Sequence, residues 1–353
     1  RGLLVLLTVK GIILNLHAPL LVKKGFFSAL TGLIFTLVLP ACSVAETFIN
    51  NNPNVGPKSL GDVIEWRLTK DASPARVAIE VSDEWRNLTP QSHPYAIWIG
   101  HATYLIDTGD VTILTDPIFS DRASPVSWAG PERLIPPAMS VQQLPKIDAV
   151  LISHNHYDHL DLPSLKLLQK NNPNMIILAP QGDKELLDSE GLNYVSEFRW
   201  WQNIQVKQTE FTFTPVQHWS GRGITGRNTS LWGGWFLKSP ALSLYHAGDT
   251  GYSKDFVATQ ERLGTPDFAF IPIGAYKPRW FMKGSHIDPA EAVQVALDLQ
   301  VAKSFGMHWG TFVLTDEKIK EPRTLLAEAL IKRQLAPDFF VAPKPGAILK
   351  LVP

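Results

Sequence analysis

Alternation of apolar and polar positions starts near residue 95. Segments 95–99, 104–107 and 111–115 read as strands, with Thr108-Gly109-Asp110 as the turn between the last two. An apolar, β-branched run at 149–153 predicts another strand. Pro163 opens a helix to about residue 170, because a first helical turn tolerates a missing N–H. Residues 175–179 are strand-like, 183–189 helical, and 195–198, 205–216, 231–238 and 242–246 strand-like. Helices beginning at Lys254, Pro289 and Arg323 then alternate with strands at 268–272 and 304–307. Asp288-Pro289-Ala290-Glu291 supplies the N-cap, first helical position and N3 of a capping box. Gly346 turns the chain between strands at 340–342 and 347–351. The pattern gives a mixed α and β fold with two strand-rich halves, each carrying helices.

The predicted strand at 149–153 runs straight into His154-Asn155-His156-Tyr157-Asp158-His159. A strand ending in such a loop aims several side chains at one point from a rigid base. His154 and His156 are two apart, so an extended backbone points both the same way, and Asp158 continues that spacing. His159 faces elsewhere and can serve a second ion. Imidazoles with carboxylates suit zinc, with iron or manganese as alternatives; the competing reading is a polar surface loop rich in His. Three other apolar runs end in a single such residue: His218 after 211–217, Asp249 after 242–248, and His308 after 303–307. Singly each suits a structural role. Together they repeat one layout, with ligands at strand ends along one rim of a sheet.

That ordered set, an H-x-H-x-D-H loop followed by a distant His, an Asp and a His, resembles the metallo-β-lactamase fold superfamily. Within it, the chain resembles the N-acylphosphatidylethanolamine-hydrolysing phospholipase D family. The likeness lies in Trp98-Ile99-Gly100-His101-Ala102-Thr103, Thr115-Asp116-Pro117-Ile118-Phe119-Ser120, Gln217-His218-Trp219 and Ala247-Gly248-Asp249-Thr250-Gly251-Tyr252. Ile271-Pro272-Ile273-Gly274-Ala275-Tyr276, Pro278-Arg279-Trp280-Phe281-Met282 and His308-Trp309-Gly310-Thr311-Phe312 continue it. The resemblance implies a four-layer αββα sandwich over residues 91–353. It also implies two zinc ions, one on His154, His156 and His218 and one on Asp158, His159 and His308, with Asp249 bridging them. A hydroxide shared by two such ions about 3.5–4 Å apart is a nucleophile at neutral pH. The implied reaction is hydrolysis of a phospholipid to an N-acylethanolamine and phosphatidic acid. Hydrolysis of another ester or phosphodiester on the same site, such as a lactone, sugar phosphate or cyclic diester, is the enzymatic alternative. A non-catalytic zinc-binding lipoprotein is the other.

Around this centre, candidate substrate contacts are Tyr157, Tyr276, Arg279 and Ser285. The segment from Tyr276 to Lys283 mixes rings with cations, as a loop facing lipid phosphates would; a buried loop with Arg279 in an internal salt bridge explains the same composition. His286 is a candidate proton donor to the leaving group, alongside Asp249 as the second catalytic candidate, or else a structural His at a helix start. His101 and His246 read as structural or supporting residues. Gly284-Ser285 stands where the resemblance implies a bulkier polar pair in the mammalian enzyme, and Ser220-Gly221-Arg222-Gly223-Ile224 reads as a small, flexible rim.

Charge and composition narrow the partners. Lysine plus arginine and aspartate plus glutamate number 33 each, a net charge of +0, which argues against nucleic-acid binding. Residues 1–42 read as an upstream segment plus a secretion signal: Lys23-Lys24, an uncharged run at 25–39, then Leu39-Pro40-Ala41-Cys42. This resembles a bacterial lipobox. It predicts lipidation of Cys42 and a membrane-anchored envelope protein; the Ser43 that follows resembles lipoproteins sent to an outer membrane. Cys42 is the chain's single cysteine, which excludes an intrachain disulfide. Residues 2–21 are either upstream translation, with a start near Val22, or a second membrane-contacting segment. Residues 43–90, with Asn50-Asn51-Asn52-Pro53-Asn54, read as a polar tether and lead-in. A homodimer around a lipid channel is compatible with the sequence but not dictated by it.

Overall fold

Fourteen of the strands gather into two sheets of seven in the computed structural model, which describes residues 8–9, 12–13, 47–52, 58–69, 77–89, 92–223 and 225–352. The chain forms two compact units, Arg1–Val44 and Ala45–Pro353. In the first, β1 (Thr8–Val9) and β2 (Ile12–Ile13) make a short antiparallel ladder. Cys42 lies outside the described residues. Among those that are described, no helix is long and apolar enough to cross a membrane.

The second unit opens with a helix the apolar pattern did not predict, α1 (Leu60–Thr69). Its start is written in Ser59-Leu60-Gly61-Asp62: Ser59 donates its N–H to Asp62 Oδ2 at 2.7 Å and Asp62 returns one to Ser59 Oγ at 3.1 Å. That is a capping box with Asp at N3. One sheet takes β3 (Tyr95–Gly100), β4 (Thr103–Asp107), β5 (Thr112–Thr115), β6 (Ala149–Leu151), β7 (Ile176–Pro180) and β8 (Val195–Phe198), with α2 (Leu162–Asn171) and α3 (Lys184–Ser189) crossing between parallel strands. The other takes β9 (Asn203–Val206), β10 (Thr209–Thr214), β11 (Gly234–Lys238), β12 (Ser243–His246), β13 (Phe268–Pro272), β14 (Lys303–Met307) and β15 (Phe340–Val341). Between these fall α4 (Asp255–Leu263), the single turn α5 (Arg279–Met282), α6 (Pro289–Asp298) and α7 (Glu321–Lys332). Finally β16 (Ile348–Lys350) returns to pair with β3.

The strand orders are β16-β3-β4-β5-β6-β7-β8 and β15-β14-β13-β12-β11-β10-β9. Each sheet is antiparallel up to β5 or β12 and parallel beyond it. Strands buried on both faces explain why several read as unbroken apolar runs. In β3, Ala96 and Trp98 enter the inter-sheet core, while Ile97 and Ile99 join Leu165, Leu168 and Leu187 of α2 and α3. Phe256, Val293, Ala296 and Leu326 seat α4, α6 and α7 on the second sheet. These are the four layers of the expected sandwich. Large rings fill its middle, and their polar ends bridge the sheets: Tyr104 donates to Gly306 O at 2.9 Å, and Trp235 donates its indole N–H to Ile152 O at 2.9 Å.

Two departures have local causes. The predicted strand 205–216 is a hairpin whose turn lies at Lys207 (φ 53°) and Gln208; the polar run Lys207-Gln208-Thr209-Glu210 interrupts the alternation there, but no Gly, Pro, Asn or Asp marks it as a turn. Residues 47–52, within the stretch read as a polar tether, lie against the sandwich, and so does α1; Phe48 donates its N–H to Asn228 O at 2.8 Å and Trp66 stacks on Phe281.

Candidate metal centre

Strands β5, β6, β10, β12 and β14 all run the same way within their sheets, so their C-terminal ends share a rim. Asp116 follows β5, His154 to His159 follow β6, His218 follows β10, Asp249 follows β12 and His308 follows β14. Side chains reach this crowded point partly by unusual backbone: His101, Asp116 and His308 have φ of 55°, 36° and 61°. Gly248 (φ 61°) admits the loop before Asp249, since a Cβ there would lie 2.6 Å from that of Ser153.

Every metal residue predicted from sequence lies in this cluster. His154, His156 and His218 form one group whose ligand atoms lie within 4.8 Å of one another; His101, Asp158, His159 and His308 form another. Asp249 stands between them: its Oδ2 is 3.1 Å from His159 Nε2 and His308 Nε2, 4.0 Å from His154 Nε2 and 3.9 Å from His218 Nε2. His156 Nδ1 is 2.8 Å from His154 Nε2 and 3.3 Å from His218 Nε2. Three imidazoles pointing ring nitrogens at one another cannot all be satisfied by shared protons. His156 Nε2, His159 Nε2 and Asp249 Oδ1 are buried with no hydrogen-bond partner. Imidazole nitrogens and a carboxylate crowded at these distances, on side chains that also carry unpartnered buried atoms, fit divalent first-row metal ions.

Outer partners fix the rings. His218 Nδ1 lies 2.9 Å from Ser285 O, which can only accept, so Nδ1 carries the proton and Nε2 faces the cluster. His159 Nδ1 is likewise 2.9 Å from the Asp116 carboxylate. Asp116 also takes the Ser153 N–H at 2.7 Å, the Ser153 hydroxyl at 2.7 Å and His246 at 3.1 Å, so His246 supports rather than faces the centre. His101 stands behind Asp158, Nε2 to Oδ2 at 2.9 Å. Burial holds His154 and His218 well below the ordinary imidazole range and His156 at about 3. For His159 and His308 burial is outweighed by Asp249 and Asp158, which raise His308 to about 9 and His159 well above its usual value. The carboxylates thus draw positive charge to this spot.

A cavity of about 350 Å³ opens onto the centre, with His156, Asp158 and Asp249 at its base. Ser285 and His286 line it; His286 Nδ1 has no hydrogen-bond partner and lies 3.8 Å from Asp249 Oδ2. The other three candidate substrate contacts are engaged elsewhere. Tyr276 is 1% exposed and donates its hydroxyl to Glu321 at 2.8 Å. Arg279 is held by Glu291 at 2.6 Å and Asp288 at 3.6 Å and donates to His286 O, which is the internal ion pair weighed against a lipid contact. Tyr157 donates to Arg222 O. Arg222 itself is no loose rim residue: its guanidinium reaches Asn155 O at 2.9 Å and Leu160 O at 2.7 Å, tying together both ends of the ligand loop.

Phe281 and Met282, from the segment expected to face lipid, and Trp219 form part of the apolar walls; Val63 and Trp66 of α1, with Leu314, complete them from positions the sequence did not single out. Trp66 stacks on Phe281, centroids 5.0 Å apart at 18°. Lys58 and Arg227 add cations, each over a ring, Phe281 at 5.4 Å and Trp219 at 4.0 Å. The Ser59–Asp62 capping box was the readable signal for α1; nothing in the local pattern marks Arg222 or Asp116 by its contacts.

Residues 111–309 match the β-lactamase superfamily domain. The chain is 40% identical over 255 residues to N-acyl-phosphatidylethanolamine-hydrolyzing phospholipase D 1 of Caenorhabditis elegans, spanning 69% of this chain and 72% of that protein. The mitochondrial N-acyl-phosphatidylethanolamine-hydrolyzing phospholipase D of Saccharomyces cerevisiae is 40% identical over 240 residues, 66% of this chain and 51% of its own. Among solved structures, isothiocyanate hydrolase from Delia radicum gut bacteria aligns with a TM-score of 0.58 at 20% identity, over 72% of this chain and 98% of its own. Igni18, a metallo hydrolase from Ignicoccus hospitalis, aligns at 0.54 and 19% identity, over 72% and 97%. At such identities these structures speak for the fold.

Proposed function

Since the chain belongs to the β-lactamase superfamily, and is a metallo-hydrolase of it, we propose that it cleaves phospholipids of the N-acylphosphatidylethanolamine type, releasing an N-acylethanolamine and phosphatidic acid. The observation that carries this reading is the make-up of the cavity. Its base is a cluster of imidazoles and carboxylates, while Val63, Trp66, Phe281, Met282 and Leu314 give it apolar walls and Lys58 and Arg227 give it cations. A substrate suited to it has an anionic centre joined to an alkyl chain. The names of the two phospholipase D relatives support the same class.

Under this proposal His154, His156 and His218 would hold one ion and Asp158, His159 and His308 the other, with Asp249 available to either; zinc suits the set, as do iron and manganese. Such a pair supplies Lewis acidity for a phosphoryl oxygen and an activated water at neutral pH. The chain's own residues do the rest. His286, whose Nδ1 is without a hydrogen-bond partner beside Asp249, is placed to exchange a hydrogen bond or proton with the leaving oxygen. Apolar walls exclude water from the alkyl chain and orient it, while Lys58 and Arg227 offset phosphate charge. Lipidation of Cys42 in a bacterial envelope belongs to the same proposal, since it would hold the cavity near its lipid.

Mass spectrometry of products from a mixed phospholipid extract tests both head group and bond. Metal-dependent release of N-acylethanolamine is expected, with His156→Ala abolishing it; no lipid turnover after full metal loading sinks the proposal. The size of the cavity favours one second reading. At about 350 Å³ it lies near the small end of ligand pockets, which run from about 300 to 1,000 Å³. A smaller, water-soluble diester or lactone fits it whole, and preference for one in a substrate panel would select that reading.

A further inference from the structure

His218 lies past the end of β10, where its backbone has left the sheet ladder, and it is 2% exposed. Buried N–H and C=O groups in that position need partners from elsewhere. Both come from one side chain. Asn50 Oδ1 accepts the His218 N–H at 3.1 Å, and Asn50 Nδ2 donates to His218 O at 2.9 Å. The same Oδ1 takes the Trp232 indole N–H at 3.0 Å, so the carboxamide is itself locked in one orientation. It does for His218 what a neighbouring strand would do. Its neighbours stitch the segment down: Asn51 Nδ2 reaches Asp255 Oδ1 at 2.8 Å and Asn52 Nδ2 reaches Gln217 Oε1 at 3.1 Å, while Ile49, just ahead of Asn50, is 78% exposed. The three asparagines lie ahead of the matched superfamily domain, which starts at residue 111.

We infer that Asn50 is a positioning residue for the metal centre: by holding the His218 backbone from both sides it sets where the Nε2 of that ring stands. The Nδ1 contact to Ser285 O fixes the ring's rotation, but rotation about a displaced backbone still misses the target. A carboxamide accepts on one atom and donates from another, so it serves both backbone groups at once; a carboxylate would accept from the N–H yet face the carbonyl with no proton. The inference rests on the reading of His218 as a ligand. It adds that the ion sharing His218 depends on a residue outside the sandwich, whereas the ion on Asp158, His159 and His308 does not.

The test is Co²⁺ binding to the full chain, followed by the absorption of the bound ion and by competition with a chelator. Asn50→Ala should weaken one of the two ions by roughly 10–100-fold, the range for loss of a supporting contact, and shift that ion's absorption bands, leaving the other at wild-type affinity. Asn50→Asp should weaken the same ion, and Ile49→Ala should match wild type. Wild-type affinity at both sites in Asn50→Ala, or equal weakening at both, overturns the inference. If Asn50→Ala does not fold, Asn50→Ser is judged by the same two criteria. A wild-type chain that takes up fewer than two ions overturns the two-ion reading instead, an outcome read on the wild type alone.

Discussion

Asp183 sits buried ahead of α3, where Asn155 Nδ2 donates to its Oδ1 at 2.9 Å and its Oδ2 has no partner. Burial lifts its carboxyl from 3.8 to about 7, against the pull of Ser230, Asn155 and Arg222 and with help from the charge of Glu197. The sign follows from proton counting. Between those values the folded chain keeps a proton that the unfolded chain has lost, so this group's contribution to stability falls as pH rises, by at most about 1.4 kcal/mol per unit. Asp183→Asn should remove that slope: urea midpoints of variant and wild type should diverge between about pH 5 and about pH 7.5, the variant gaining. A gap that does not change with pH would refute the assignment. Residues of this sort mark the limit of reading a sequence. His154, His156, Asp158 and His159 were legible because imidazole and carboxylate crowd one loop. Asn50, Arg222 and Asp183 act through backbone or through neighbours far along the chain, and a polar residue in a polar stretch gives no sign of that.

Among elements, strands were legible where alternation or unbroken apolar runs met clear turns, and the capping box of α6 forms as written, with Asp288 Oδ1 accepting the Glu291 N–H at 2.9 Å. The β9–β10 hairpin was hidden because the polar run from Lys207 to Glu210 holds none of the residues that usually mark a turn. Helix α1 went unread although half its residues are apolar and its box was in view. That helix carries a testable load. Trp66 is fastened by its stack on Phe281 and by an indole N–H to Asp316 Oδ2 at 3.3 Å. A ring pair of this kind contributes about 0.5–1.5 kcal/mol beyond the area it buries. Trp66→Ala should therefore cost about tenfold in kcat/KM for long-chain lipids, the equivalent of about 1.4 kcal/mol. It should cost less for short-chain ones. The measurement is kcat/KM along an acyl-length series, and the same length dependence in both proteins would remove α1 from the substrate wall.

For the whole molecule, the pattern along the chain reached mixed α and β, and the four layers came from the resemblance, because periodicity does not say which faces meet. What the layers share is the rim. The first sheet supplies His154, His156, Asp158 and His159, the second His218, Asp249 and His308. Ions that bind only the folded rim add stability by mass action, about 2.7 kcal/mol at a hundredfold excess over Kd. Chelation should lower the thermal midpoint by roughly 5–10 °C, read by calorimetry. An unmoved midpoint would mean that the rim binds no ion. The division of donors also has a mechanical side. Each group draws donors from both sheets, so ions bound there would act as two rivets through a pair of plates, and the plates are otherwise held face to face by ring packing and a few hydrogen bonds, which resist separation better than sliding. A pulling experiment that shears one sheet along the other should meet its main resistance at the rim, and that resistance should disappear when the rivets are drawn.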